Sequence, residues 1–424
     1  MSPAPAPTPA STFTPLSLLS LPDKPALVDA FVGKDISALR TPALIVDRTR
    51  FRQNCERVTS QAEKRGMRFR AHVKTHKTAE GTRMQVQAAG GVRALIASTM
   101  PEVWQIILSG LVAEGLVDDI LYSMPLAASR LEDINDAQSK CGDKAVIRLM
   151  VDHPEQIAAL DAFSRRTGRK QRWSVFMKVD GGGRRAGVPP QSEQMRDNIK
   201  AALASDHVDI YGFYSHFGQS YASKSLSKAS EYLSGEVECV NSAAKVARDL
   251  GATHPFVLSV GATPTAHAAT QGAGISEGLE GELELHAGCY CMNDCQQMAT
   301  SLVPPSDVSI SILSTVVSVY PHRSEAMCDA GALAVSKDTG PLPGYGRVVS
   351  PPHATTWDLG RISQEHGTLV HRPGESDVGE IHVGELVRIV PQHACLACAA
   401  FPWFYVVDDG DTTVKDVWVP WKGW

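Results

Sequence analysis

The sequence lacks the features that direct a chain out of the cell or into a membrane. No Lys or Arg precedes Lys24, which argues against the charged start of a signal peptide and the arginine-rich face of a mitochondrial presequence. No apolar run approaches the roughly 20 residues that span a bilayer. The nine cysteines form an odd set without the dense spacing of a secreted disulfide framework. We therefore expect a cytoplasmic protein without a membrane partner.

An excess of positive charge is also missing. The chain has 41 Lys and Arg against 46 Asp and Glu, for a net charge of −5, and a pI near 6.3. This balance gives no basic surface for nucleic acid, so a small-molecule substrate is expected. With 424 residues, 43% of them hydrophobic, the chain is long enough for a large barrel and a smaller second domain.

Short apolar runs alternate with segments of helical period from residue 41 onward, a pattern typical of a (β/α)8 barrel. Spaced apolar positions that end at Gly predict amphipathic helices at 49–66 and 228–251. After residue 302 the long helical pattern stops, and alternating strands with Gly, Pro and Asp turns predict an all-β domain. The first dozen residues, rich in Pro, Ala and Thr, predict a disordered tail. We expect a tail and lead-in segment at 1–38, the barrel at 39–302 and the β domain at 303–424. The candidate barrel strands are PALIVD (42–47), RFRAHVK (68–74), VRALIAS (92–98), DDILYSM (118–124), AVIRLMVD (145–152), SVFMKVD (174–180), DIYGFYSHF (209–217), PFVLSVG (255–261) and ELELHAGCY (282–290).

Several of these strands end in polar residues, and the carboxyl ends of barrel strands are where β/α barrels carry their chemistry. Lys74 ends the RFRAHVK run, and a lysine inside a barrel mouth is suited to form a Schiff base. Pyridoxal phosphate uses such a lysine. The segment SVGATPT (259–265) offers Gly261 and hydroxyl donors for a phosphate.

A second candidate site lies in PQHACLAC (391–398). On a strand or extended loop, His393 and Cys395 project to the same side, so both can bind one metal ion. A thiolate with an imidazole favours zinc over magnesium or manganese. The alternative is a redox pair of Cys395 and Cys398, which lacks the following helix typical of thioredoxin motifs.

The motifs TPALIVD, RAHVKTHKT, MKVDGGGRRAGV, FYSHFG, SVGATPT, HAGCYCMND, CDAGALAVSKD and PQHACLAC resemble, in order and spacing, those of the eukaryotic-type D-serine dehydratases and the related D-threonine aldolases. The resemblance runs from about residue 35 to near the C-terminus. It implies the alanine-racemase-like architecture, a fold type III pyridoxal-phosphate barrel followed by a β domain that carries the metal site. It also implies a homodimer.

The resemblance assigns roles residue by residue. It makes Lys74 the Schiff-base lysine and implies zinc on His393 and Cys395. In GGGRRAG either Arg184 or Arg185 faces the cofactor, and Arg185 is the better match. The remaining implied cofactor contacts are Tyr214, His216, Gly261, Ala262, Thr263, Gly288 and Tyr290.

The reaction that the resemblance implies is β-elimination of D-serine to pyruvate and ammonia. Lys74 would remove the α-proton, and zinc would bind the hydroxyl that leaves. The main alternative is a D-threonine or 3-hydroxy-D-aspartate aldolase, which breaks the Cα–Cβ bond to give glycine and an aldehyde. A barrel that carries pyridoxal phosphate without turnover is a third hypothesis, and a racemase, which needs no metal, is a fourth.

Overall fold

The computed structural model describes residues 20–88, 91–272, 278–375 and 379–424. The predicted disordered tail lies outside these residues. The described chain begins with helix α1 (Lys24–Phe31), which the Asp23 side chain caps by accepting a hydrogen bond from the Ala26 amide. Strand β1 (Ala43–Asp47), buried along its whole length, follows.

Eight parallel strands then close into a barrel, which confirms the predicted fold class. The last of them pairs with the first, so that His286 lies opposite Arg70. Their side chains are mostly apolar, because helices cover the outside of the barrel and side chains fill its inside. The strands are β2 (Arg68–His72), β3 (Ala94–Ala97), β4 (Asp119–Pro125), β5 (Val146–Val151), β6 (Trp173–Lys178), β7 (Val208–Tyr214), β8 (Phe256–Val260) and β9 (Gly281–Ala287).

Amphipathic helices form the outer layer. In the longest, α8, Ser225 accepts a hydrogen bond from the Lys228 amide at the start, and Leu233, Val237 and Val240 form part of its buried face. This spacing of three and four residues is what a helix needs to bury one stripe. The helices predicted at 49–66 and 228–251 are both present. The helices of this part are α2 (Arg48–Lys64), α3 (Ala79–Gln87), α4 (Met100–Leu108), α5 (Leu131–Cys141), α6 (Pro154–Thr167), α7 (Glu193–Leu203), α8 (Leu226–Asp249), α9 (Thr263–Thr270) and α10 (Cys295–Met298).

A nine-stranded sheet forms the second domain, with the order β11-β14-β13-β12-β15-β10-β1-β16-β17. Two short helices, α11 (Ala332–Val335) and α12 (Ala394–Ala400), accompany it. The strands not yet introduced are β10 (Ile310–Tyr320), β11 (Glu325–Cys328), β12 (Gly346–Ser350), β13 (Trp357–Ile362), β14 (Gly367–His371), β15 (Leu386–Pro391), β16 (Phe404–Val407) and β17 (Asp416–Trp418).

Strand β1 belongs to this sheet, so the prediction that residues 42–47 form a barrel strand is wrong. It pairs antiparallel with β10 and parallel with β16. A short run that is buried on both faces looks the same in either sheet, because only the partner strands distinguish the two. The consequence is that the β domain is built from both ends of the chain and is tied directly to the start of the barrel. Among the described residues, no helix is both long and apolar enough to cross a membrane.

Candidate active site

A cavity of about 400 Å³ opens at the carboxyl ends of the barrel strands. Eight of the nine predicted cofactor contacts line it, together with residues that the motifs did not single out. Its cations are Lys74, Lys178 and Arg185, and no carboxylate is among its lining residues. The cavity therefore suits an anionic ligand. The predicted residues brought together here are Lys74, Arg185, Tyr214, His216, Gly261, Ala262, Thr263 and Gly288.

Lys74 lies in the turn that follows β2, where the chain leaves the barrel wall. Gly288 follows β9, the strand paired with β2, and an added Cβ there would lie 3.3 Å from Lys74 Cε. Such a contact is tighter than ordinary van der Waals packing, so a glycine at 288 leaves the lysine side chain room to move.

The segment after β8 has the shape of a phosphate cradle. Gly261 has φ +151°, and a Cβ there would lie 1.9 Å from the His286 carbonyl oxygen. Only glycine allows the backbone to pass this close. The next residues, Ala262 and Thr263, line the cavity and start α9, and the amino-terminal N–H groups of a helix carry a partial positive charge. The buried Thr263 hydroxyl has no hydrogen-bond partner among the described residues. Together with the three cations, these groups fit the phosphate of pyridoxal phosphate.

Three histidines line the cavity as neutral imidazoles, the buried His286 and the half-buried His72 and His216. His216 donates from Nδ1 to the Gly261 carbonyl at 2.7 Å, and His72 Nε2 lies 2.8 Å from the Ser98 hydroxyl. Burial is the main cause that lowers the pKa of both rings well below the ordinary value, and nearby Arg185 and Lys74 add to it. Burial likewise lowers the pKa of His286. The cavity thus gains hydrogen-bonding groups without gaining charge.

The motif MKVDGGGRRAG places two cations in the cavity. Arg185 lines it, whereas the exposed Arg184 has φ +51° and donates its backbone N–H to Asp180 Oδ1 at 3.1 Å. Lys178, which the sequence interpretation missed, lies 4.5 Å from the centre of the Tyr214 ring. Burial, with Arg185 nearby, lowers the pKa of Lys178 to about 7. The sequence signal that could have identified it is a lysine at the carboxyl end of the apolar strand β6.

His393 and Cys395 come together, but on a helix start and not on the expected extended strand. His393 is the N-cap residue of α12, and Cys395 lies in the first turn. His393 Nδ1 donates to Asp338 Oδ2 at 2.6 Å, so Nε2 is the ring nitrogen that Asp338 does not occupy. Burial opposes the charged imidazole, yet hydrogen bonds with Cys395 and Asp338 raise the pKa of His393 to about 9.

Cys395 links the β domain to the barrel mouth. Its sulfur lies 3.2 Å from the hydroxyl of Thr75, the neighbour of Lys74. A hydrogen bond from Cys289, followed by one from His393, holds the pKa of the Cys395 thiol well below its usual value, although burial opposes this. The pair thus combines a thiolate with an imidazole that a carboxylate orients, a donor set typical of zinc. Within the described ranges, no third His, Cys, Asp or Glu completes a cluster.

Tyr290 does not reach the cavity, so the expectation of a cofactor contact there is wrong. Its side chain is fully buried and packs edge-on against Phe69, with ring centres 5.2 Å apart. The short helical turn at 289–291 rotates this side chain into the core. Cys289 and Cys291 are also buried there.

Comparison with known proteins covers nearly the whole chain. Residues 46–276 match the family described as "Alanine racemase, N-terminal domain", and residues 309–407 match "Putative serine dehydratase domain". D-serine dehydratase of Schizosaccharomyces pombe is 39% identical over 409 residues, which is 95% of this chain and 96% of that protein. The Saccharomyces cerevisiae D-serine dehydratase is 32% identical, over 94% and 99% of the two chains. This chain belongs to the eukaryotic D-serine dehydratase family.

Membership in the D-serine dehydratase family makes the protein a pyridoxal-phosphate-dependent lyase with an alanine-racemase-like fold. Solved structures of D-threo-3-hydroxyaspartate dehydratase share that fold. One of these structures is of a variant in which a histidine is replaced by alanine. It matches this chain with a TM-score of 0.80 and 27% identity, over 94% of this chain and 99% of that chain. Another is the metal-free form of a variant in which the cysteine two positions later is replaced by alanine. It matches with a TM-score of 0.79 and 27% identity, over 92% of this chain and 100% of that chain.

Proposed function

We propose that this enzyme eliminates water from D-serine to form pyruvate and ammonia, using pyridoxal phosphate and zinc. The observation that carries the proposal is the contact between Thr75 and Cys395, 3.2 Å apart. It places the thiolate and imidazole of the β domain beside Lys74. A site that only bound the cofactor would not need a metal-binding pair at this point. The D-serine dehydratase names of the yeast relatives support the choice of substrate.

The barrel residues would hold the cofactor. Lys74 supplies the amine that attaches it, Gly261, Ala262 and Thr263 supply the phosphate cradle, and Arg185 supplies a cation. Bound pyridoxal phosphate supplies an electron sink for negative charge at the substrate α-carbon. Because the cavity lacks carboxylates among its lining residues, its own charges do not oppose an anionic cofactor or a substrate carboxylate.

Lys74 is the group that moves the proton. When the substrate amine takes its place, its Nζ is free at the cavity wall and can remove the hydrogen from the α-carbon. Tyr214 and His216 flank the same space and narrow it. A lysine on one wall reaches one face of the bound substrate only, which gives a physical reason for selectivity toward one isomer.

His393 and Cys395 would hold the zinc, with Asp338 orienting the imidazole. Bound zinc supplies Lewis acidity that makes hydroxide a better leaving group. Two protein ligands are fewer than the three usual for catalytic zinc, so the pair leaves open positions for the substrate. The metal-free state of the cysteine variant in D-threo-3-hydroxyaspartate dehydratase supports this role for the pair.

A homodimer is part of the proposal. Three large apolar side chains are exposed: Met124 is 53% exposed, Leu396 on α12 is 47% exposed, and Leu333 on α11, which packs against α12, is 56% exposed. Met124 lines the cavity itself, and Leu396 follows Cys395. A second copy of the chain would cover such a surface, and light scattering would detect the dimer. The cytoplasmic location stays a prediction.

Product analysis tests the function. Holoenzyme supplied with zinc should convert D-serine to pyruvate and ammonia, should lose this activity with a chelator, and should regain it when zinc is added back. Lys74→Ala should abolish the activity. Lys77→Ala, the matched control at a lysine three residues later that does not line the cavity, should retain most of it. Glycine and acetaldehyde from D-threonine would instead identify an aldolase. Aldimine-type visible absorbance without turnover of any D-hydroxyamino acid would identify a carrier.

A further inference from the structure

A chain of buried hydrogen bonds leads from the barrel interior to the cavity. Arg70, which is fully buried, binds Glu284 through Nε at 2.8 Å and through Nη2 at 3.1 Å. Glu284 Oε1 accepts a hydrogen bond from the Ser259 hydroxyl at 2.8 Å. The Ser259 oxygen lies 3.0 Å from His286 Nδ1. Each of these groups lies on a strand of the barrel, so their positions are rigid.

The direction of these bonds determines the tautomer of His286. Glu284 accepts from Arg70 on both oxygens, so it acts as an acceptor toward Ser259 as well. Ser259 has one hydroxyl hydrogen, and it is donated to Glu284. The bond between Ser259 and His286 therefore requires that Nδ1 carries a hydrogen and donates it. A neutral ring with its hydrogen on Nδ1 has a bare lone pair on Nε2.

That lone pair has no partner among the described residues. His286 is 2% exposed, its Nε2 is buried without a hydrogen bond, and the residue lines the cavity. Leaving a buried acceptor unpaired is unfavourable, so the cavity is built to receive a donor at this point. The ring is also held in plane by stacking on Tyr214, at 4.0 Å between ring centres and 10° between planes.

We propose that His286 Nε2 accepts a hydrogen bond from the protonated ring nitrogen of pyridoxal phosphate and so keeps the cofactor in its pyridinium form. This inference rests on the proposed function, because it needs the cofactor in this cavity. His286 is then a catalytic residue that contacts the cofactor, and Ser259 and Glu284 are positioning residues that act through it.

The chemistry of the cofactor narrows the choice of donor. Its phosphate and phenolate oxygens are anionic acceptors, and its aldehyde carbon is taken by Lys74. The ring nitrogen, when protonated, is the one remaining group that can donate to a bare acceptor. The position agrees with this. His286 lies level with Arg70, four residues before Lys74 and deeper in the barrel, so the acceptor is on the floor and the lysine is at the rim.

The consequence is a stronger electron sink. A pyridinium ring carries a positive charge that stabilises negative charge from the substrate α-carbon, whereas a neutral pyridine does so less well. An acceptor that is fixed by Ser259 and Glu284 supplies this effect without a carboxylate in the cavity, where a negative charge would oppose the phosphate.

The test is ¹⁵N NMR of holoenzyme reconstituted with pyridoxal phosphate labelled at the ring nitrogen. We expect the wild-type shift to be that of a protonated pyridinium at neutral pH. His286→Leu should move it to that of a neutral pyridine and weaken cofactor binding by about tenfold or more. Ser259→Ala, which frees the imidazole to change tautomer, should move the shift part of the way. His72→Gln, a change at another cavity histidine, should leave the ring nitrogen protonated.

An unprotonated ring nitrogen in the wild type would overturn the inference, as would a folded His286→Leu holoenzyme with an unchanged shift. The wild-type spectrum decides even if a variant fails to fold. The ¹⁵N shift is measured without turnover. An enzyme that dehydrates D-serine while its cofactor ring nitrogen is unprotonated would therefore contradict only this inference. A protein that does not bind the cofactor at all contradicts the proposed function and the inference together.

Discussion

Replacing Asp338 with asparagine should weaken zinc binding while leaving the rest of the site intact. Asp338 Oδ2 lies 2.6 Å from His393 Nδ1, and Gln296 donates a hydrogen bond to the same oxygen at 3.2 Å. The carboxylate therefore orients the ring so that Nε2 would face the proposed zinc. Asparagine keeps the size and one oxygen but loses the negative charge that makes the imidazole a better ligand.

The magnitude follows from this role. Loss of a partner that orients a metal ligand costs about 10–100-fold in metal affinity, which corresponds to about 1.4–2.8 kcal/mol at roughly 1.4 kcal/mol per tenfold change. Asp338 is on a loop at the surface of the β domain and does not line the cavity, so cofactor binding should be unchanged. Dehydratase activity should fall at limiting zinc and recover when zinc is in excess.

The assay is competition for zinc between the metal-free protein and a chromogenic chelator, with cofactor absorbance measured on the same samples. Asp411→Asn is the matched control, because Asp411 is an exposed carboxylate of the same domain paired with Lys415 at 3.0 Å. It should bind zinc like the wild type. A zinc affinity of Asp338→Asn within twofold of the wild-type value would refute the assignment of Asp338 as the residue that orients His393.

Three further predictions concern the barrel. Arg70→Met should lower the free energy of unfolding by about 3–5 kcal/mol, because it leaves the buried Glu284 without its cation, whereas Asp119 keeps its ion pair with Arg148. Urea unfolding measures the loss, and adding Glu284→Gln should restore part of it. A single variant as stable as the wild type would contradict the prediction. Gly261→Ala should abolish cofactor binding, because the new Cβ would lie 1.9 Å from the His286 carbonyl oxygen. An absorbance titration with pyridoxal phosphate measures this, and a variant that binds the cofactor as tightly as the wild type would show that the phosphate cradle is elsewhere. Lys178 has its pKa lowered to about 7 by burial, so above that pH the unfolded chain binds more protons than the folded one. The free energy of unfolding of the cofactor-free protein should therefore rise with pH from about 7 toward 10, and Lys178→Met should flatten that rise. The same dependence of the urea midpoint on pH in both proteins would contradict this prediction.

Much of the barrel could be predicted because its signals are local. An apolar run between polar turns predicts a strand from its own residues, and the helices at 49–66 and 228–251 follow from spacing and end residues. The one strand that was placed wrongly, at 42–47, has the same local signal as the others. Its partners are β10 and β16, and the residues of a strand do not specify a partner more than 250 positions away.

The candidate site divides in the same way. Gly261 and Lys74 were recognisable because a close backbone approach needs glycine and because a lysine at a strand end is unusual. Tyr290 was misplaced because a single turn after β9 reverses the direction in which side chains point. Asp338 was missed because its partner, His393, lies 55 positions away in the sequence. Lys178 was missed because it ends an apolar strand that looks like any other buried strand.

The sequence alone determined the repeating strand and helix pattern, the lysine at the rim of the barrel and the His393 and Cys395 pair that we propose as metal ligands. These depend on residues that are neighbours along the chain, for which bond geometry sets the distance. Only the tertiary structure decided that Cys395 contacts Thr75 beside Lys74, that Asp338 bonds His393, and that Ser259 leaves a bare lone pair on His286. Those properties depend on distances and hydrogen-bond directions between strands, which exist only once the barrel has closed and the β domain has packed on it.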